Sequence, residues 1–100
     1  MNNSIHDENM DKLFQAILKL QNEEECYSLF EDLCTVSELL AIKQRFWVAR
    51  LLSEGYIYTD IVEMTGASTA TISRVNRCLN YGKGGYRTAL ERVKEEKTEE

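Results

Sequence analysis

The chain has 100 residues, a formal net charge of -5, no proline, five glycines and three cysteines. A chain this short reads as one domain, buries limited surface alone and gains much from an oligomeric core. No apolar run approaches the roughly 20 residues of a membrane-spanning helix, and the N-terminus MNNSIHDENM lacks the basic region and apolar core of a secretion signal. Cys26, Cys34 and Cys78 are odd in number and widely spaced, which argues against a disulfide framework and a metal-ligand pattern. They are expected to be small buried or half-buried thiols in a reducing cytoplasm.

The charge is unevenly spread. Residues 1–32 carry a net -6, residues 33–90 a net +3, and residues 91–100 a net -2. Acidic ends can lower non-specific affinity for nucleic acid without erasing a local phosphate-binding face in the middle.

Residues 1–8 are polar and expected to be a flexible N-terminus, with a single helical domain over 9–97. Met10, Leu13, Phe14, Ile17 and Leu18 repeat at helical spacing and predict an amphipathic helix ending near Leu20. QNEEE marks a break, with its acids placed for the first turn of the next helix. Cys26, Leu29, Phe30 and Leu33 give that helix an apolar face, ending near Cys34. Thr35 with Glu38 forms a capping box for the longest helix, SELLAIKQRFWVARLLSEG. Its apolar residues cover more than one stripe, so it needs partners on several sides, another subunit among them. Gly55 is its expected stop.

A short helix over 59–65 follows, then Gly66 in a turn, then Ser68 as cap of a helix that starts at Thr69. NYGKGGY reads as a flexible basic junction, and a last helix is expected at about 86–96, with Tyr86, Ala89, Leu90 and Val93 on one face. The all-α expectation is six helices, with no repeats.

YTDIVEMTGASTATISRV, residues 58–75, carries the functional argument. Two short helices joined by a glycine turn form a helix-turn-helix candidate over 58–79, whose second helix has its first residues free to approach base edges in a major groove. Thr69, Ala70 and Ser73 are short enough for close backbone approach. Their hydroxyls can exchange hydrogen bonds there, and methyls can meet thymine. Ser68 and the helix N-terminus suit a phosphate. Arg74, Arg77 and Lys83, continued by Arg87, provide positive charge, and phosphate affinity grows with the number of such contacts. Asp60 and Glu63 would oppose phosphate if they faced it. The bland alternative is a plain helical hairpin in which STATIS only caps and packs.

The segment LCTVSELLAIKQRFWVARLLSEGYIYTDIVEMTGASTATISRVNRCLNYGKGGY resembles the core of the Trp repressor superfamily. TGASTATISRV and LNYGKGGY resemble its YerC/YecD-type branch. The resemblance spans residues 10–93. It implies a six-helix Trp-repressor-like fold with a helix-turn-helix, an intertwined homodimer, and a cytoplasmic bacterial repressor acting on a palindromic operator in double-stranded DNA. It places Thr69, Ala70 and Ser73 toward bases. It also implies a possible effector pocket of Thr35, Arg45, Arg74 and Val75. The family repressor has glycine where this chain has Val75, and a valine there fills part of the cavity, which disfavours tryptophan as effector. Asp60 and Glu63 stand where that repressor has basic residues.

No catalytic, metal or cofactor site is expected. His6 has no second ligand pattern beside it. GKGG lacks the longer glycine pattern and the Lys-Ser/Thr pair of a phosphate loop, and no nucleophile has a base at recognisable spacing. The aromatics Phe30, Phe46 and Trp47 are expected in the core or a dimer interface. Net acidity with Asp60 and Glu63 motivates a second class of function, a helical homodimeric protein-interaction module with weak or no DNA binding.

Overall fold

A computed structural model describes residues 5–99, so the expected polar terminus over 1–8 lies partly outside the described residues. The described residues form helices α1 (Glu8–Ile17), α2 (Glu23–Leu33), α3 (Val36–Ser53), α4 (Tyr58–Thr65), α5 (Thr69–Tyr81) and α6 (Gly85–Glu99). The chain divides into two compact units, Met1–Leu39 and Leu40–Glu100.

In the first unit, local capping sets the helix boundaries. Asp7 accepts from the Met10 N–H at 2.8 Å and starts α1. Asn22 accepts from the Glu25 N–H, while the Glu25 carboxylate accepts from the Gln21 N–H, each at 2.9 Å. These bonds satisfy amide donors that precede the first intrahelical acceptors. They also explain why α1 stops at Ile17 rather than near Leu20. The N–H groups of Lys19 and Leu20 tighten onto Ala16 and Ile17, and the chain must be extended again at Asn22.

The capping box at the start of α3 is present. The Thr35 N–H donates to the Glu38 carboxylate at 2.8 Å, and the Glu38 N–H donates to the Thr35 hydroxyl at 3.2 Å. The Thr35 amide first, and its side chain second, hold the Glu38 carboxyl below its ordinary value. Neither α1 nor α2 contains a buried residue. Of the apolar stripes legible in their sequences, Phe14, Leu18 and Leu33 are exposed and Leu13, Ile17, Leu29 and Phe30 half-buried. Cys26 here and Cys78 further on, expected at least half-buried, are exposed, because among the described residues no other helix packs over their positions.

The second unit has a core. Val48, Ala49 and Leu51 of α3, Ile61 of α4, Ala67 of the following turn, and Ile72 and Val75 of α5 bury one another. Trp47, Leu52, Tyr58, Val62, Tyr86 and Leu90 pack around them half-buried. Phe46 lies at the edge, its ring centroid 6.3 Å from that of Tyr86. α3 ends where Gly55 takes a positive φ of 92°, which only glycine adopts without cost. α5 runs further than its sequence suggests: Asn80 and Tyr81, expected in a flexible junction, complete its last turn. Leaving glycines to the three-residue link 82–84 lets α6 start at Gly85. A Cβ on Gly82 would collide with the Cys78 backbone carbonyl, so the link needs glycine for space.

Two outcomes follow from these local devices. Gly82→Ala should lower stability by about 1–3 kcal/mol, the usual cost of forcing a methyl into filled space; an unchanged denaturant midpoint would refute the clash. Glu38 has a lowered folded pKa, so its stabilisation is complete above the ordinary glutamate pKa and is lost as pH falls through the folded value. The Tm gap between wild type and Glu38→Ala should therefore be widest near neutrality and narrow in acid. A gap that is constant with pH would show that the carboxylate form contributes nothing.

Candidate nucleic-acid interface

α4, a short turn and α5 form a pair whose geometry is set by hydrogen bonds the sequence did not advertise. Gly66, at φ 74°, closes α4 with its N–H on the Val62 carbonyl. The Thr65 hydroxyl donates to the Ile61 carbonyl at 2.7 Å and accepts from the Ala67 N–H at 3.1 Å. From α3, the Gln44 side-chain amide donates to the Thr65 carbonyl at 3.2 Å. One threonine thus ends a helix, shapes the turn and receives a tie from the long helix. Ala67, the next residue but one, is buried and anchors the turn to the core.

Ser68 starts α5 as expected. Its hydroxyl accepts from the Thr71 N–H and donates to the Thr71 hydroxyl, both at 3.1 Å. That commits the Ser68 side chain to the cap, so its nucleic-acid role rests on the position it gives the helix end. The N–H groups of Thr69 and Ala70 precede the first intrahelical acceptor and point along the helix axis. α1 to α4 each carry acid in the first turn, which offsets the partial positive charge there. α5 carries none, so its positive end is available to an anion.

The two faces of α5 are cleanly divided. Ile72, Val75 and Leu79 are buried. Ala70, Ser73, Arg74, Arg77 and Tyr81 are exposed, and their spacing of three and four places them along one outer stripe. Thr69 opens the helix beside that stripe, also exposed. Among the described residues neither Arg74 nor Arg77 makes an ion pair. Lys83 is exposed in the link after α5. Tyr81, expected in the flexible junction, lies in the last turn of α5 and is 86% exposed. Counting four residues on from Arg77 instead of ending the helix at the junction would have placed it on the stripe.

Arg87 corrects a second expectation. Its Nε donates to the Leu79 carbonyl and an Nη donates to the Asn80 side-chain oxygen, each at 2.9 Å. It is turned back onto the end of α5 and does not extend the outer basic stripe. On α4, Asp60 and Glu63 are exposed on the side away from buried Ile61. They balance the formal charge of Arg74 and Arg77, so the pair has a polarised surface without net charge.

The residues expected around an effector have separate local roles. Arg45 donates from Nε to the Ala41 carbonyl of its own helix at 3.3 Å. Arg74 is exposed. Val75 is 1% exposed and belongs to the core. Thr35 serves the α3 cap in the first unit. Among the described residues no group of His, Cys, Asp and Glu could hold a metal ion, and no helix is long and apolar enough to cross a membrane.

Comparison with known proteins agrees with this architecture. The family model described as Trp repressor protein matches residues 8–94. The chain is 58% identical over 90 residues to the uncharacterized protein YerC of Bacillus subtilis (strain 168), covering 90% of this chain and 86% of that protein. A crystal structure of a TrpR-like protein from Eubacterium eligens superposes with a TM-score of 0.87 at 54% identity, covering 92% of this chain and 95% of that one. A candidate Trp repressor from Staphylococcus aureus gives a TM-score of 0.86 at 48% identity, with 90% of each chain covered. With a family match over most of its length and a relative 58% identical over 90 residues, this chain belongs to the Trp repressor family of DNA-binding regulators.

Proposed function

We propose that this protein is a sequence-specific transcriptional repressor that acts in the cytoplasm as a homodimer on a palindromic operator. The observation that carries this reading is the outer stripe of α5. Short Thr69, Ala70 and Ser73 lie at its opening, and the unpaired Arg74 and Arg77 follow on the same exposed side. Short side chains let the helix backbone approach base edges, directly or through water. The arginines supply phosphate contacts or bidentate contacts to guanine. Lys83 adds a phosphate contact beyond the helix end.

A homodimer is favoured by what the first unit leaves uncovered. Leu18 is 81% exposed and Phe14 54% exposed, although each would contribute about 1.5–3 kcal/mol if buried. A chain with a net stability of order 5–15 kcal/mol gains greatly by covering such faces, and a second copy presents the same faces. A two-fold pair of α5 helices then meets half-sites about one DNA turn apart.

The same reading assigns tryptophan no role. Val75 spends its side chain in the core of the second unit, so α5 is seated on α3 and α4 by protein atoms.

The reading is tested by selecting genomic DNA fragments with purified protein, with and without tryptophan. A palindromic motif independent of tryptophan is the expected result. Fluorescence titrations on that motif should then show weaker binding for Arg74→Ala and Arg77→Ala. Each loss of a phosphate contact should lower the salt slope by about one. Folded variants with wild-type affinity would remove α5 as the interface. Recovery of a stable protein partner and no motif would favour the interaction-module reading, for which exposed Asp60 and Glu63 are the motivation.

A further inference from the structure

α5 has no basic residue in its own last turn, although the carbonyls there concentrate negative partial charge. The missing cation comes from the next helix. Arg87, in the first turn of α6, reaches back to the Leu79 carbonyl with Nε and to the Asn80 side chain with Nη, both at 2.9 Å. Asn80 is held in turn: its amide nitrogen donates to the Asn76 backbone carbonyl at 2.9 Å and to the Asn76 side-chain oxygen at 3.0 Å. Leu79 is buried, so its carbonyl is anchored from the core side as well. The guanidinium therefore joins a fixed point of the core to the polar edge of α5. A planar fork of donors does this with one orientation, where an ammonium would reach one acceptor at a time.

We propose that Arg87 is a positioning residue for DNA binding. Its fork fixes the last turn of α5, and with it the direction in which α5 presents Ser73, Arg74 and Arg77. α6 thereby sets the affinity of the reading helix without touching DNA. This rests on the DNA-binding reading given above. A rigid helix of 13 residues transmits a tilt at its end to its opening, and contacts to base edges tolerate little misplacement.

The salt dependence of binding separates positioning from contact. Arg87→Ala should lower operator affinity roughly tenfold, in line with loss of a charge-assisted hydrogen bond, while the slope of log affinity against log salt stays at the wild-type value. Arg77→Ala, measured beside it, should lower the slope by about one. Arg87→Lys keeps the charge and loses the fork, so it should recover only part of the affinity. Without DNA, hydrogen exchange should quicken at the amides of residues 80–82 in Arg87→Ala and stay unchanged in α4.

A slope that falls by one in Arg87→Ala would make Arg87 a phosphate contact and overturn the proposal. Full recovery by Arg87→Lys would do the same, and so would unchanged exchange. Should Arg87→Ala fail to fold, Asn80→Ala removes one arm of the fork and should weaken binding at constant slope; wild-type affinity in that variant overturns the proposal. If Arg77→Ala loses affinity while Arg87→Ala does not, the DNA reading stands and this inference falls. If wild type selects no duplex, both fall.

Discussion

The seating of α5 on the core depends on the inward row Ile72, Val75 and Leu79. Ile72 and Val75 meet Val48, Ala49 and Leu51 of α3, Ile61 of α4 and Ala67 of the turn in a core that is apolar throughout. The contribution of each side chain is a matter of area removed from water, but its effect on geometry is larger. Alanine at 49 and 67 leaves room for close approach, and branched side chains with few rotamers fill what remains. This row decides which side of α5 faces outward. The bonds of Thr65 shape the turn that leads into α5, and the Arg87 fork holds its last turn.

Much of this was legible in the sequence. Helical periodicity found six elements, and Gly66 and Ser68 marked the turn and cap where the structure has them. Thr35 and Glu38 identified their own reciprocal bonds. Boundaries were read less well where apolar periodicity continued past a break, as at Leu18 and Leu20, or stopped short of one, as at Asn80 and Tyr81. Those ends are decided by single hydrogen bonds, which a hydrophobic pattern does not record.

The functional surface was legible by residue type and not by partner. Arg74, Arg77 and Arg87 have the same chemistry in the sequence. The structure leaves the first two exposed and folds the third onto the helix that carries them. Likewise Gln44 and Thr65 are 21 positions apart, and nothing in the spacing of either announces that they meet. Ser68 was read twice, as a cap and as a contact, and its hydroxyl is already engaged in the first of these roles. Long-range pairing is the information that periodicity lacks.

The ion pairs at Lys12–Glu8 and Arg50–Glu54 each join neighbouring turns of one helix, and exposed pairs of this sort contribute little. The links between helices in the second unit include apolar packing, the neutral Gln44–Thr65 bond and the Arg87 fork. Screening by dissolved ions acts weakly on such links and strongly on exposed, uncommitted arginines. Ionic strength is thus an independent dial for this molecule: it attenuates what the outer stripe can attract while leaving the shape of that stripe intact.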